Sequence, residues 1–370
     1  MNKWISTFTS RCLVFRPFEY TDAQIIYNNW GKFDDVSKYV TWWSHSCIND
    51  TIKYVNDVIF KYASNSDYME WLVCLRETGE PIGAISIQKL HGKWIVGYNF
   101  AKSQWHKGYA TEALSRIIEF SFLHRNIPAI YSSHLEENKA SGYVMKRNGL
   151  TYEKTESIII KNVETNLLWY KLDRIDWLSE KVKSFVQTLN LDDYTLRPVM
   201  SSDIDYIHEY FSDPDVIKYL HANTKTSKNG VKNKVCELLT RCVKGNYYYW
   251  VIVDDNDKPI GNISVSIDSP ECANVAYVLS KDKWGNGIMS KALGVVIDYV
   301  FKSFEDVWFI GGDCAIDNKA SKRVMEKCGM TCYGIYRYGV MQFVKCSYGE
   351  YPLVRCQISR ADWRRLNNET

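Results

Sequence analysis

Apolar residues recur at helical spacing directly after a glycine-bearing loop. The stretch WHKGYATEAL begins at Trp105 and leads into a segment whose apolar positions follow the i, i+3, i+4 pattern of a helix with one buried face: Leu114, Ile117, Ile118 and Phe122. The pattern predicts a loop that feeds a helix N-terminus, where backbone N–H groups and the positive end of the helix dipole favour an anion such as phosphate. A single loop of this kind is weak evidence, because many helices begin after a glycine without binding a ligand.

Shorter apolar runs predict strands on both sides of this loop. The segments WLVCLRETGEPIGAISIQ and WVIVDDNDKPIGNISVSI each predict two strands joined by a turn. A short strand ending in Arg-Pro precedes each of them, and a third strand (WIVGYNF or ANVAYVL) leads to the glycine loop. After the loop and its helix come another strand, a helix that begins with Asn-Lys-Ala-Ser, and a closing strand pair. This order predicts an α/β (α+β layered) domain with a mixed, mostly antiparallel twisted sheet flanked by helices.

The whole order of motifs occurs twice, about 180 residues apart. WGNGIMSKAL, from Trp284, repeats the glycine loop, and NKASKRVMEKCGM, from Asn318, repeats NKASGYVMKRNGL, from Asn138. The Arg-Pro strand, the PIG hairpin and an Arg-x-Asp-Trp segment repeat in the same order. The matches predict a duplicated domain, with an N-terminal domain at 1–177 and a C-terminal domain at 193–370. Between them, residues 178–192 predict a linker helix with one apolar face: Val182, Phe185, Val186 and Leu189.

Composition narrows the class of protein. The chain is 46% hydrophobic and 24% charged, which is typical of a globular protein that buries two cores. A net charge of +3 argues against nucleic acid as a partner, and no run of 18 apolar residues predicts a membrane span. The N-terminus lacks the apolar core of a signal peptide. The eleven cysteines show no zinc-ligand spacing, so we expect reduced thiols, no metal and a cytoplasmic location.

Taken together, these motifs resemble the GNAT superfamily of acyl-CoA-dependent N-acetyltransferases, above all its ribosomal-protein N-terminal acetyltransferase branch. The resemblance covers nearly the whole chain, twice. It implies acetyl-CoA as cofactor, coenzyme A as product, and direct transfer of the acetyl group to a primary amine, either a peptide N-terminus or a small molecule. It also leads us to expect that the two domains form an intramolecular pseudo-dimer.

The resemblance assigns roles to residues that the two copies share. In relatives the cofactor pyrophosphate lies on the loop N–H groups, while the loop Trp is structural. Asn138 and Asn318 resemble the asparagine that bonds the pantetheine arm, and Ser141 and Ser321 would protonate or orient the leaving thiolate. For all four side chains, plain helix capping is the alternative. The implied cofactor-binding positions also include one strand residue in each copy, Phe100 and Leu279. The remaining positions are residues of the two glycine loops: His106, Lys107, Gly108, Tyr109, Ala110, Thr111, Gly285, Asn286, Gly287, Ile288, Met289 and Ser290.

The proton acceptor is where the sequence departs from its relatives. Many of them carry a glutamate three residues before the tyrosine of the third strand, where this chain has Ile95 and Asn274. His134 is a candidate general base in the first copy, although a partly buried or exposed strand residue is the alternative, and Asp313 is the nearest acid in the second copy. Two other hypotheses stay open: one catalytic copy with a degenerate binding or scaffold copy, and a non-catalytic acyl-CoA-binding module. The acceptor amine is left open by the sequence.

Overall fold

The chain forms two compact units, Met1–Arg174 and Ile175–Thr370, called below the N-terminal unit and the C-terminal unit. A computed structural model describes residues 5–220, 227–334, 336–337, 340–341, 343–346 and 349–368. The bounds predicted for the two domains stay a prediction. Each unit contains one copy of the Arg-Pro strand, the PIG hairpin, the glycine loop and the Asn-Lys-Ala-Ser helix, whereas the first Arg-x-Asp-Trp segment, at 174–177, crosses the boundary between the units.

The N-terminal unit alternates strands and helices in the predicted order. Its strands are β1 (Phe8–Thr9), β2 (Leu13–Arg16), β3 (Tyr68–Leu75), β4 (Pro81–Leu90), β5 (Lys93–Phe100), β6 (Ala129–Leu135), β7 (Thr151–Ile160) and β8 (Val163–Asp173). Its helices are α1 (Ala23–Ile26), α2 (Asp34–Ser37), α3 (Ile48–Ser64), α4 (Tyr109–Leu123) and α5 (Lys139–Arg147). The strands form one sheet in the order β1-β2-β3-β4-β5-β6-β8-β7.

The C-terminal unit repeats this arrangement. Its helices are α6 (Arg174–Lys183, which begins at the last residue of the N-terminal unit), α7 (Ile204–Phe211), α8 (Pro214–Ile217), α9 (Lys228–Val243), α10 (Ile288–Ser303), α11 (Lys319–Lys327) and α12 (Arg360–Leu366). Its strands are β9 (Leu189–Leu191), β10 (Tyr194–Pro198), β11 (Tyr247–Val253), β12 (Pro259–Ser269), β13 (Cys272–Leu279), β14 (Phe309–Ala315), β15 (Thr331–Gly334), β16 (Tyr336–Arg337), β17 (Val340–Met341), β18 (Phe343–Cys346) and β19 (Gly349–Ser359). The main sheet runs β15-β19-β14-β13-β12-β11-β10-β9.

Each main sheet is antiparallel apart from one central strand pair. The parallel pairs are β5 with β6 and β13 with β14. A parallel pair needs a crossover connection, and α4 and α10 provide it. The predicted α/β fold with two mostly antiparallel sheets is therefore confirmed.

The predicted helix faces form the core of each unit. On α4 the four apolar residues named from the sequence are all fully or almost fully buried, and α10 buries Leu293, Val296, Ile297 and Val300 in the same way. Burying a full apolar side chain contributes roughly 1.5–3 kcal/mol, so these faces account for much of the packing that holds each crossover helix on its sheet.

The linker helix predicted at 178–192 is wrong in its bounds. The observed helix α6 begins four residues earlier and ends at Lys183, and Leu189–Leu191 is strand β9, paired antiparallel with β10. Val182 and Val186 are buried as predicted, whereas Phe185 is 38% exposed. The helical spacing included Leu189, but sheet pairing with Leu196 decides the conformation of that residue.

The expectation of reduced thiols is wrong for one pair of cysteines. Cys332 on β15 and Cys356 on β19 are directly opposite in the antiparallel register, and the structure joins them by a disulfide. They are 24 residues apart in the sequence, so only the strand pairing brings them together. Among the described residues there is no group of three metal-ligating side chains that could hold an ion, and no described helix is long and apolar enough to cross a membrane.

Candidate active site

The two glycine loops end in glycines that the backbone conformation requires. Gly108 and Gly287 are the N-caps of α4 and α10, with φ of 87° and 73°, in the left-handed region. A Cβ added to either would meet no atom within 4 Å, so the torsion rather than crowding selects glycine. Neither helix start has a side-chain cap, and the first-turn N–H groups are therefore available to an anion.

The loops differ in the residue after the tryptophan. His106 has φ of 61°, and Gly285 holds the corresponding place with φ of 81°. A non-glycine residue is strained in this region, so the N-terminal loop stores backbone strain that the C-terminal loop does not.

The tryptophan of each loop fixes it to the end of the preceding strand. Trp105 donates from Nε1 to the carbonyl of Phe100 at 2.8 Å, and Trp284 donates to the carbonyl of Leu279 at 2.9 Å. The same bond in both units ties the loop to the strand that leads into it. The indole is thus a structural anchor of the loop in both copies.

The parallel strands of each sheet pair over a short length only. Residue pairing between β5 and β6 ends at Ile95 with Tyr131, and pairing between β13 and β14 ends at Asn274 with Gly311. The remaining residues of β5 and β13 thus have one edge without a paired strand. A gap of this kind can accept an extended ligand through backbone hydrogen bonds.

Phe100 and Leu279 direct their N–H groups into this gap. Ala101 donates to the carbonyl of Ile82, and Ser280 donates to the carbonyl of Ile260, both at 2.8 Å. Strand N–H groups alternate in direction, so the residues just before, Phe100 and Leu279, face away from β4 and β12. Of the predicted cofactor positions, these two and the loop residues lie at one end of the gap.

A tyrosine on the third strand contacts a serine on the Asn-Lys-Ala-Ser helix in both units. Tyr98 Oη lies 2.8 Å from Ser141 Oγ, and Tyr277 Oη lies 2.9 Å from Ser321 Oγ. Burial raises the pKa of both tyrosines above the usual range of a phenol. The phenols therefore stay protonated at neutral pH and can donate a hydrogen bond.

Asn138 and Asn318 cap the helices that carry these serines. Oδ1 of Asn138 accepts the backbone N–H of Ser141 at 3.2 Å, and Oδ1 of Asn318 accepts that of Ser321 at 3.1 Å. The capping alternative is thus realised by Oδ1. It uses one atom of each amide and leaves Nδ2 able to donate elsewhere, so capping and the predicted cofactor contact are compatible.

His134 is packed under α5. Its Nδ1 lies 2.8 Å from the carbonyl of Leu135, and Nε2 has no partner among the described residues. A Cβ added to Gly142 would lie 2.6 Å from Nε2, so the helix closes over the ring. The role of His134 as a general base stays a prediction. The side chain is more buried than the alternative of a partly buried or exposed strand residue expected, and this packing favours a structural role.

The C-terminal unit has a polar network where relatives carry their glutamate. Arg355 on β19 donates to Asn274 Oδ1 at 2.5 Å and to Asp313 at 3.2 Å, and Asn274 donates to Asp268 at 2.7 Å. The sequence analysis named Asp313 and Asn274 but missed Arg355. No local signal marks Arg355, because the pairing of β14 with β19 places it there.

The N-terminal unit instead contains a buried carboxylate that the sequence analysis also missed. Glu70 on β3 accepts hydrogen bonds from Tyr54 at 2.7 Å and from Tyr68. Burial raises the pKa of Glu70, although the two phenols partly offset that shift. The available signal was a single charge inside the apolar strand YMEWLVCL, which is unusual unless the charge is hydrogen-bonded.

Comparisons with known proteins identify the family to which the chain belongs. The sequence profile of the acetyltransferase (GNAT) domain matches residues 12–151 and again 193–331, so the chain belongs to the GNAT acetyltransferase family, with two copies of its domain. The predicted superfamily and enzyme class are therefore confirmed.

Single relatives match one domain of the chain at a time. The uncharacterized N-acetyltransferase p20 of Bacillus licheniformis is 26% identical over 40% of this chain and 84% of its own length. The uncharacterized N-acetyltransferase YnaD of Bacillus subtilis is 30% identical over 39% of this chain and 82% of its own length. A solved ribosomal-protein-S5-alanine acetyltransferase of Vibrio fischeri is 23% identical, covers 48% of this chain and 98% of its own, and has a TM-score of 0.41.

Proposed function

We propose that this protein transfers an acetyl group from acetyl-CoA to a primary amine, on a peptide N-terminus or a small molecule, and that both units are competent. The observation that carries the proposal is the Tyr–Ser pair beside the unpaired strand edge. It occurs at 2.8 Å in one unit and at 2.9 Å in the other, between the strand before the glycine loop and the helix that Asn138 or Asn318 caps. In both units the pair is partly buried, so each hydroxyl has a fixed partner next to the unpaired strand edge.

The residues present fit acetyl-CoA. Loop N–H groups at Gly108–Thr111 and Gly287–Ser290 would hold the pyrophosphate, and Nδ2 of Asn138 or Asn318 would donate to the pantetheine arm. When bound, acetyl-CoA supplies the activated acyl thioester. The N–H of Phe100 or Leu279 would orient the thioester oxygen, and the hydroxyls of the Tyr–Ser pair would donate a hydrogen bond to the sulfur where the thiolate leaves.

The attacking amine must arrive without its extra proton, because alkyl amines are protonated at neutral pH. In the C-terminal unit we assign the proton acceptor to Asp313, whose side chain is 41% exposed and is oriented by Arg355. The corresponding strand positions of the N-terminal unit are Ser133 and Trp169, which are also opposite each other. The two units therefore offer different surroundings to the amine.

The first test is the stoichiometry of acetyl-CoA binding by calorimetry, in the parent chain and in Asn138→Ala and Asn318→Ala. Two sites, one lost with each substitution, would support two competent clefts. A single site that only one substitution abolishes would identify the unit that binds acetyl-CoA and would leave the other unit as a scaffold. No binding at all would refute the proposal. Thiol release with a panel of peptides, polyamines and aminoglycosides then separates an enzyme from a module that only binds acyl-CoA.

A further inference from the structure

A disulfide in the C-terminal unit occupies the place of an aromatic pair in the N-terminal unit. Cys332 on β15 is opposite Cys356 on β19, and Tyr152 on β7 is opposite Tyr170 on β8. The two pairs correspond, because β19 is bonded to β14 as β8 is bonded to β6. The tyrosine rings are only in contact, with centroids 6.0 Å apart, whereas the cysteines are covalently joined. Of these two pairs, thiol chemistry can therefore open the one in the C-terminal unit.

The disulfide faces helix α11. Cys356 is opposite Cys332 on one side and Gly312 of β14 on the other, so the three residues form one row on one face of the sheet. A Cβ added to Gly312 would lie 3.0 Å from Sδ of Met325, which belongs to α11. The row thus lies beneath α11, and the residues of that helix are the neighbours of the disulfide.

The two cysteines differ in exposure. Cys356 is fully buried, and Val354 and Ile358, two residues away on the same face of β19, are buried as well. Cys332 is half-buried and lines a surface cavity of about 500 Å³. A thiolate must reach the sulfur that it attacks, so an attack from solvent is directed to Cys332.

The cavity combines an apolar part with an excess of positive charge. Its apolar lining includes Ile316, which is 47% exposed. Its charged lining comes from α11, with three cations and one carboxylate: Lys319, Lys322, Arg323 and Glu326. The carboxylate pairs with Lys322 at 3.5 Å, whereas Lys319 and Arg323 form no ion pair among the described residues. Three cations against one carboxylate raise the local concentration of small anions.

We propose that Cys332 is a site of thiol–disulfide exchange and that its reactant is a small anionic thiol, held by the cations of α11. The incoming thiolate forms a bond with Sγ of Cys332 and breaks the bond between Cys332 and Cys356. The electron pair of the broken bond stays on Sγ of Cys356, which takes up the proton that the incoming thiol has lost. The buried surroundings of Cys356 favour its neutral thiol, which is a poor nucleophile, so the mixed disulfide at Cys332 persists. This site goes beyond the proposed acetyl transfer and does not depend on it.

The first experiment locates the adduct. Peptide mapping of the oxidised full chain without reductant should recover Cys332 bonded to Cys356. The protein is then treated with excess glutathione, quenched with an alkylating reagent and analysed by mass spectrometry. We expect glutathione on Cys332 and the alkyl label on Cys356. Absence of the starting disulfide, glutathione on Cys356 or no glutathione adduct would overturn the proposal.

The second experiment tests the role of the cations. The thiolate of glutathione carries an excess of two negative charges, whereas that of cysteamine carries no net charge. Both are reacted with a variant that combines Lys319→Gln, Lys322→Gln and Arg323→Gln. We expect the rate constant per thiolate to fall at least fivefold for glutathione and less than twofold for cysteamine, because only glutathione is attracted by the cavity. Equal losses for both thiols, or none for either, would overturn the selection of an anionic thiol.

A matched control removes the same charge from the other unit. The exposed cations of α5 are replaced together, by Lys139→Gln, Lys146→Gln and Arg147→Gln. This variant should react with both thiols within twofold of the parent. A loss for glutathione as large as that of the α11 variant would overturn the assignment to the cavity, since it would reflect the net charge of the whole protein.

The α11 variant should keep the Tm of the parent, since the ion pair that it loses, Lys322 with Glu326, is exposed. If its Tm falls, the salt dependence of the parent decides the question without any substitution. Raising the concentration of KCl should then slow the reaction with glutathione and leave that with cysteamine unchanged. A reaction with glutathione that does not respond to salt would overturn the proposal.

Discussion

The capping asparagines allow the structural and the cofactor roles of one side chain to be measured apart. Oδ1 of Asn138 accepts the Ser141 N–H at 3.2 Å, and the proposed cofactor contact uses Nδ2. Asn138→Asp keeps an oxygen acceptor and loses the N–H donor, whereas Asn138→Ala loses both. Aspartate caps a helix about as well as asparagine, so only the alanine variant should destabilise the unit.

The expected sizes differ enough to be resolved. Loss of the cap costs about 1 kcal/mol, which lowers the Tm of a domain of this size by about 2–4 °C. Loss of one neutral hydrogen bond to the cofactor costs about 1 kcal/mol, or about fivefold in Kd. Asn138→Asp should therefore keep the parent Tm within about 1 °C and still bind acetyl-CoA at least fivefold more weakly in the N-terminal unit.

The assay combines scanning calorimetry for the Tm with titration calorimetry for acetyl-CoA, and Asn318→Asp is the matched variant in the other unit. Wild-type affinity in Asn138→Asp would refute the cofactor contact and leave the asparagine as a cap only. If the Tm of Asn138→Asp fell as far as that of Asn138→Ala, the assignment of the cap to Oδ1 and of the cofactor contact to Nδ2 would be refuted.

Substitutions can also test three other features of the units. Exchanging the strained and the relaxed loop residues should have unequal effects on stability. His106→Gly should leave the Tm unchanged or raise it, whereas Gly285→His should lower stability by about 1 kcal/mol, measured by thermal unfolding. Equal losses in both variants would contradict the strain. The pKa of Glu70 is raised in the folded protein, so its contribution to stability is complete below its unfolded pKa of about 4.5 and is lost as the pH rises through the folded pKa. Glu70→Gln should flatten that part of the Tm–pH curve. An unchanged slope would show that Glu70 does not cause this pH dependence. Gly142→Ala should destabilise the N-terminal unit by about 1–3 kcal/mol in urea unfolding, because its Cβ would lie 2.6 Å from His134 Nε2; His134→Cys in the same chain should restore stability, and failure to do so would place the crowding elsewhere.

The features that the sequence predicted correctly depend on short segments. Helix α4 follows from apolar spacing, and the loop glycine Gly108 follows from its place before the helix. Such features are decided within a few residues by side-chain periodicity and by torsional freedom, so one sequence is enough to find them. Repetition strengthened them, because an ordered second copy about 180 residues later is improbable by chance.

The features that the sequence did not predict depend on which distant strands pair. Arg355 reaches Asn274 only because β19 lies beside β14, and Cys332 meets Cys356 only through the pairing of β15 with β19. Leu189 fits the helical spacing of the sequence, but it lies in β9 because it pairs with Leu196 of β10. In each case the local pattern was compatible with more than one outcome, and sheet register chose between them.

By itself, then, the sequence determined the duplicated GNAT domain, its glycine loops and its capped Asn-Lys-Ala-Ser helices, because each is written in residues close together along the chain. Only the tertiary structure decided which polar side chains are buried and paired in each unit. Glu70 bonds Tyr54 of α3 and Arg355 bonds Asn274 of β13, so the surroundings of both come from other elements of the fold. Burial and hydrogen-bond satisfaction depend on those surroundings, and no short pattern encodes them.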